Sequence, residues 1–293
     1  MKPYRKTVYL PHQQSSITMK KTFFLLAALA VLAGCGNQPK PTENPTSKQD
    51  AFTVETYQTD DSRLLGIIDN DGKSLEMYGF VACEIDIPVT KNQQLYDSIC
   101  HWFAQCFGTD YDENPNDVKA MVEYYKSWPF EYDEDIVPEG FDMSYTFKML
   151  EANDRYVTYS FSSFSEVYSY PRANFETTYV TFDRNTGKRF TRQMVNKDES
   201  LELLVMNALL EQYFSEWDSE VLADILVFDP DDLEEAGFWL PEFTDPYLLN
   251  DNLCFYYWEH DIANRVAGQP YCALPYDVIE PYLTEEGKQY FKH

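Results

Sequence analysis

The sequence predicts an α+β protein: a largely antiparallel sheet with helices packed on it. Two observations predict this class. Strand-like segments come as neighbours around hairpin turns, and helix-like segments come in separate blocks, an order that argues against a doubly wound parallel sheet. A third observation predicts a real core: 23 Tyr, 20 Phe and 5 Trp in 293 residues supply ample apolar mass despite a chain that is 25% charged. The chain divides into residues 1–34 (extension and export signal), 35–51 (tether), 52–142 (an N-terminal α+β half) and 143–293 (a C-terminal α+β half).

In chain order, Met19-Lys20-Lys21 is a short basic start, and residues 1–18 before it carry no apolar run of their own. Thr22 to Ala33 is an uncharged, mostly apolar run of 12 residues. That suits a signal-peptide core of ~7–15 residues and falls short of the ~20 that a spanning helix needs. It ends in Leu32-Ala33-Gly34-Cys35, which resembles the lipobox of bacterial lipoproteins. The resemblance implies cleavage before Cys35 and lipid attachment to its sulfur. Two or three acyl chains on one residue suffice for stable membrane anchoring. The Pro-, Asn- and Thr-rich segment after it reads as a flexible tether. The expected location is outside the cytoplasm, lipid-anchored to a bacterial membrane, at the periplasmic or the outer surface.

Arg63–Ile68 and Ser74–Pro88 read as strands around Asp69-Asn70-Asp71-Gly72, whose residues tolerate the left-handed backbone of a hairpin turn. The same four residues open like a calcium loop, but the later oxygen ligands and closing Glu are missing. Val81, Cys83, Ile85 and Ile87 alternate with Glu84 and Asp86, so one face of the second strand is buried. Asn92–Gly108 is a helix with Leu95, Ile99, Trp102, Phe103, Cys106 and Phe107 on one stripe. A second helix starts near Asn116 and ends at Pro129, and Glu131 to Gly140 is an acidic loop. Strands follow around Val157–Phe161 and Thr178–Phe182, with a turn at Asp183–Lys188 that leads into Arg189–Gln193. Ser200–Trp217 and Ser219–Val227 are helical, and Asp229–Glu235 forms a short acidic helical turn. Leu253–Trp258 and Tyr271–Leu274 are the last strands, and a short helix begins near Thr284.

With the five basic residues before Cys35 set aside, 18 basic side chains face 49 acidic ones, a formal charge of −31. Such a chain repels nucleic acid and attracts cationic proteins in a salt-dependent way. Five cysteines remain after Cys35. Cys254 and Cys272 fall on neighbouring strands and are the expected disulfide, and the odd count leaves at least one thiol free. His101, His260 and His293 show no ligand spacing, so neither a metal nor a cofactor is expected.

Tyr156 to Val195 (YVTYSFSSFSEVYS…TTYVTFDRNTGKRFTRQMV) is similar to the strand–turn–strand of the extracellular domain of lysozyme-sensing anti-sigma factors of the RsiV type. Leu253 to Leu283 resembles that domain's closing segment, and Glu84 to Gly108 its first strand and helix. The resemblance covers about residues 80–293 and implies an extracytoplasmic binding module; related copies are joined to peptidoglycan deacetylases. Two stretches depart from the family pattern, Ser169–Phe175 and Ala263–Val266. The candidate binding residues in and beside them are Tyr168, Tyr170, Arg172, Phe175, Asn264, Arg265 and Gln269.

These readings favour a non-catalytic envelope lipoprotein that binds a cationic protein, such as a lysozyme, or cell-wall glycan. The alternatives are an envelope glycan hydrolase or a structural partner in an envelope complex. A hydrolase needs a carboxyl pair with one raised pKa. Glu259 and Asp261 beside Trp258 are candidates only in the sense that acids are abundant everywhere. No nucleophile elbow, HExxH or P-loop motif occurs. No catalytic residue is assigned.

Overall fold

The alternation in the second strand sets the architecture. Its odd-numbered residues face a core, and the strands beside it repeat the pattern. The computed structural model describes residues 52–70, 73–108, 111, 113–131, 140–168, 173–196, 199–227 and 242–291. The expected export signal, Cys35, the expected tether and the turn expected at 229–235 lie outside the described residues, as do Asp71 and Gly72 and most of the expected acidic loop.

Five strands form the main sheet in the order β1-β2-β3-β4-β5: β1 (Thr53–Asn70), β2 (Lys73–Val89), β3 (Phe141–Ala152), β4 (Tyr156–Val167) and β5 (Asn174–Asp183). Every pairing is antiparallel except β2 with β3, which is parallel, from Gly79↔Phe141 to Ile85↔Phe147. A parallel neighbour needs a crossover. Here it contains two helices, α1 (Gln93–Phe107) and α2 (Val118–Ser127). The boundary expected at 142/143 falls inside β3, and residues 48–293 form one compact unit.

The helices cover the inner face of the sheet. Val81, Cys83 and Ile85 of β2, Phe147 of β3 and Val157, Tyr159 and Phe161 of β4 meet Leu95, Ile99, Trp102 and Phe103 of α1 and Met121 and Val122 of α2. Phe103 and Phe147 lie edge to face at 4.7 Å, and Trp102 meets Phe147 at 5.8 Å. Each such ring buries about 150–250 Å², and each edge-to-face pair adds about 0.5–1.5 kcal/mol beyond its area. The Asn92 side chain caps α1, accepting from the Leu95 N–H at 3.3 Å. Its amide also donates to the carbonyls of Arg184 and Asn185 at 2.7 and 2.9 Å, fastening the turn after β5 to the helix start. Gly187 completes that turn at φ 69°, and a Cβ there would sit 2.8 Å from the Gln94 carbonyl oxygen. Only glycine satisfies both conditions. The N-cap of α2 is Asp117 rather than Asn116.

A second core lies beyond this turn. It joins α3 (Glu199–Gln212) and α4 (Ser219–Ile225) to a three-stranded antiparallel sheet of β6 (Tyr247–Leu249), β7 (Asn252–Tyr256) and β8 (Tyr271–Pro275), with α5 (Tyr276–Ile279) and α6 (Glu285–Lys288) closing it. Leu201, Val205, Leu209, Leu248, Leu253, Phe255 and Ile279 are among its fully buried members. The segment that the Asp183–Lys188 turn leads into, residues 189–193, forms no strand. Only Arg189 makes a bridge, to Phe182, and Arg192–Met194 is a 3₁₀ turn.

The expected Cys254–Cys272 disulfide is corrected by the register. Cys254 stands opposite Ala273, and Cys272 opposite Phe255. Successive side chains alternate faces, so the two sulfurs point to opposite sides of the small sheet. Cys254 packs with Tyr247 and Tyr256, whereas Cys272 lies in the second core. Both are free thiols, as are Cys83, Cys100 and Cys106. Burial pushes all five up to about 12.

Candidate functional site: the open face of the main sheet

The outer face of the main sheet is covered over only part of its area. At the end of β4 and β5 nearest the small sheet, Thr158 donates to the Leu248 carbonyl at 2.7 Å, and the Leu248 N–H donates to Thr181 at 2.9 Å. Tyr179 stacks on Tyr247 at 4.1 Å. Among the described residues this cover stops toward the other end, and the register continues.

Leu64 stands opposite Tyr78, Ile67 opposite Glu76, and Ser62 opposite Phe80. Phe80 aligns with Asp142, Asp142 with Glu166, and Phe164 with Phe175. Paired residues share a face. Four of the five strands therefore display apolar side chains on one surface: Leu64 and Ile67, Tyr78 and Phe80, Phe164, and Phe175. Tyr168 joins them past the end of β4, where its N–H donates to the Gly140 carbonyl at 2.8 Å and its ring lies over Gly140. Six of these side chains are between 38% and 61% exposed. Isolated apolar residues on a surface need no explanation, but several on one sheet face make it a candidate interaction site.

Serines and carboxylates lie among them. Glu76, Asp142 and Glu166 share this surface, and Asp60 lies further along β1. The Tyr78 hydroxyl donates to Glu76 at 2.8 Å. Bonding to Glu76 holds the Tyr78 phenol above its ordinary range; for Tyr168 the causes are burial first, then Asp142. One cation on this face, Lys148, is held by Glu84, with Asp86 at 3.7 Å. Asp86 is buried and satisfied, accepting from Thr56 at 2.7 Å and from the Met149 N–H at 3.1 Å.

The two sequence-predicted loops meet at the start of β5. The Arg265 guanidinium donates to the Ala173 carbonyl at 2.7 Å and to the Asn174 side chain at 2.9 Å, and pairs with Glu259 at 3.2 Å. The Gln269 amide accepts from the Thr177 N–H at 2.6 Å and donates to its carbonyl at 3.0 Å. It thereby mimics a neighbouring strand and blocks part of an open sheet edge. Asn264 caps the turn at Val266 at 3.2 Å. Arg265, Gln269 and Asn264 thus hold backbone in place, whereas Tyr168 and Phe175 present rings to solvent. Tyr170 and Arg172 lie outside the described residues. Glu259 is taken up by Arg265, and Asp261 accepts from the Trp258 N–H at 3.0 Å. Leu64, Ile67, Tyr78, Phe80 and Phe164 are site residues that the sequence reading missed. Their signal was apolar residues on both faces of one strand.

The fold is similar to two solved structures. One is a member of the DUF3298 family from Bacteroides fragilis, with a TM-score of 0.57, 18% identity, and coverage of 81% of this chain and 96% of that one. The other is a DUF3298 family protein from Pseudomonas aeruginosa, with a TM-score of 0.52, 13% identity, and coverage of 79% and 95%. At these identities the likeness is one of fold. No family model matches the chain, and no curated protein matches it.

Proposed function

We propose that this chain is a non-catalytic binding module of the bacterial cell envelope, anchored through lipid on Cys35, and that its target is a cationic protein of the lysozyme kind. The observation that carries this reading is the open sheet face, where exposed aromatic and aliphatic side chains alternate with carboxylates. A cationic protein with an apolar patch is the complement of such a surface. The carboxylates steer the encounter, and the desolvated rings supply the affinity. The strands hold these rings before any partner arrives, which lowers the ordering cost of association. The sequence resemblance to lysozyme-sensing domains supports the same target class.

The test is binding of the 48–293 unit to lysozyme and to purified peptidoglycan at low and high salt. The expected result is saturable binding of lysozyme that weakens as salt rises. A Phe80→Ala, Tyr168→Ala double variant is expected to bind at least about tenfold more weakly, the loss of roughly 1.4 kcal/mol. Uptake by peptidoglycan with none by lysozyme overturns the choice of target.

A further inference from the structure

Arg189 borders two depressions away from the open face. On one side it borders a cleft of about 360 Å³ with Trp102, Thr178, Thr244, Tyr256 and Trp258. On the other it borders a hollow with Ser98, His101 and Gly187 of α1 and the turn. Its guanidinium donates to Gln105 at 2.6 Å and lies 5.8 Å from the centre of the Phe182 ring. Among the described residues no carboxylate lies within 4.0 Å of it. That is unexpected in a chain with 49 acids against 23 bases. The neighbouring acid across the cleft, Asp245, accepts from the Arg192 N–H at 2.9 Å, and the Arg192 side chain is taken by Glu242. Burial lowers the Arg189 pKa, opposed in part by Cys106 and by the Asp245 carboxylate, which also lines the cleft.

The walls have a different chemistry. Trp258 is 39% exposed and meets Tyr256 edge to face at 5.8 Å. Thr178 bonds the Tyr256 hydroxyl at 2.9 Å, and Thr244 donates to the Tyr256 carbonyl at 2.9 Å. Each hydroxyl keeps unused hydrogen-bonding capacity. An indole edge, two hydroxyls and a forked cation in one cleft match a ring that has an apolar face, hydroxyl groups and an acid. The volume lies at the lower end of the ~300–1,000 Å³ typical of small-ligand sites.

From this juxtaposition we infer that the cleft between Arg189 and Trp258 is a second binding site, for a sugar that carries a carboxylate. The guanidinium takes the carboxylate in a two-pronged pair, the form in which arginine binds this group most tightly. Trp258 takes the C–H face of the ring. The cleft shares no residue with the open sheet face, so the two readings stand or fall separately.

The experiment titrates the 48–293 unit with N-acetylmuramic acid, N-acetylglucosamine, glucuronic acid and lactate. Trp258 fluorescence and calorimetry give the readout. Both acidic sugars are expected to bind. N-Acetylglucosamine, which lacks only the lactyl acid of its partner, is expected to bind roughly tenfold more weakly or not at all. Arg189→Gln is expected to erase the difference between acidic and neutral sugars, and Trp258→Ala to weaken both. Equal affinity for the neutral and acidic sugars overturns the proposal in the unmodified protein, whatever the variants do. So does lactate binding as tightly as N-acetylmuramic acid, or no binding by either acidic sugar at millimolar concentration. Lysozyme binding by Arg189→Gln is expected to be unchanged.

Discussion

The two faces of the main sheet are built from the same strands and the same kinds of side chain, yet only one is closed. On the inner face Phe147, Tyr159 and Phe182 are sealed under α1 and α2. On the outer face Phe80, Tyr168 and Phe175 keep between 38% and 54% of their surface in water. The inner rings therefore contribute to folding, while the outer rings withhold most of their hydrophobic gain until something covers them. The difference separates side chains that stabilise the molecule from side chains available to a partner, within one set of hydrogen-bonded strands.

The largest expected effect comes from pH. Cys83, Cys100 and Cys106 belong to or pack against the inner core, Cys254 and Cys272 lie near the small sheet, and none lies on the open face. All five are raised from an ordinary value of 9.0 to about 12. The unfolded chain therefore loses these protons first. Stability from the protonated thiols is complete below pH 9 and is lost as pH rises toward 12, at up to about 1.4 kcal/mol per pH unit per thiol. Denaturant melts are expected to show a steep fall in stability above pH 9. A flat profile there would show the thiols to be less buried than described.

Phe147→Ala follows, with an expected loss of about 3–5 kcal/mol in urea denaturation. Asn92→Ala removes a cap and two bonds to the β5 turn, and about 1–2 kcal/mol of stability should go with it. Phe80→Ala or Tyr168→Ala is expected to cost under about 1 kcal/mol in the same assay, because those rings are half in water already. A loss equal to that of Phe147→Ala would erase the contrast between the faces. The smallest effect belongs to Lys119→Ala. Its pair with Glu55, at 2.8 Å, is about half exposed on both sides, and the urea midpoint should not move measurably.

Much of the inner face could be read along the chain. Period-two alternation located β2, and the 3.6-residue stripe located α1 within one residue of its observed ends. β3 was missed, although Phe141, Met143, Tyr145, Phe147 and Met149 do alternate; apolar Leu150 and the acidic loop before it blurred the pattern. β6 has three residues, too few to show any period. The site was legible only at Tyr168 and Phe175. Their union with Tyr78 and Phe80 depends on the parallel pairing of β2 with β3, which no local signal encodes. The expected disulfide failed for a related reason. Neighbouring strands were inferred correctly, but a shift of one residue in register decides which face each sulfur takes. Arg189 and Trp258 are distant in sequence and meet only through the packing of β5 against the small sheet.

That parallel join also governs how the molecule must assemble. Each flanking hairpin can zip from its own turn, but β3 cannot settle beside β2 until the intervening α1 and α2 have compacted, since the loop they close is long. Stitching the two hairpins together is then the slow step. Until it is complete, the β2 and β3 edges are bare, and each can pair with another chain.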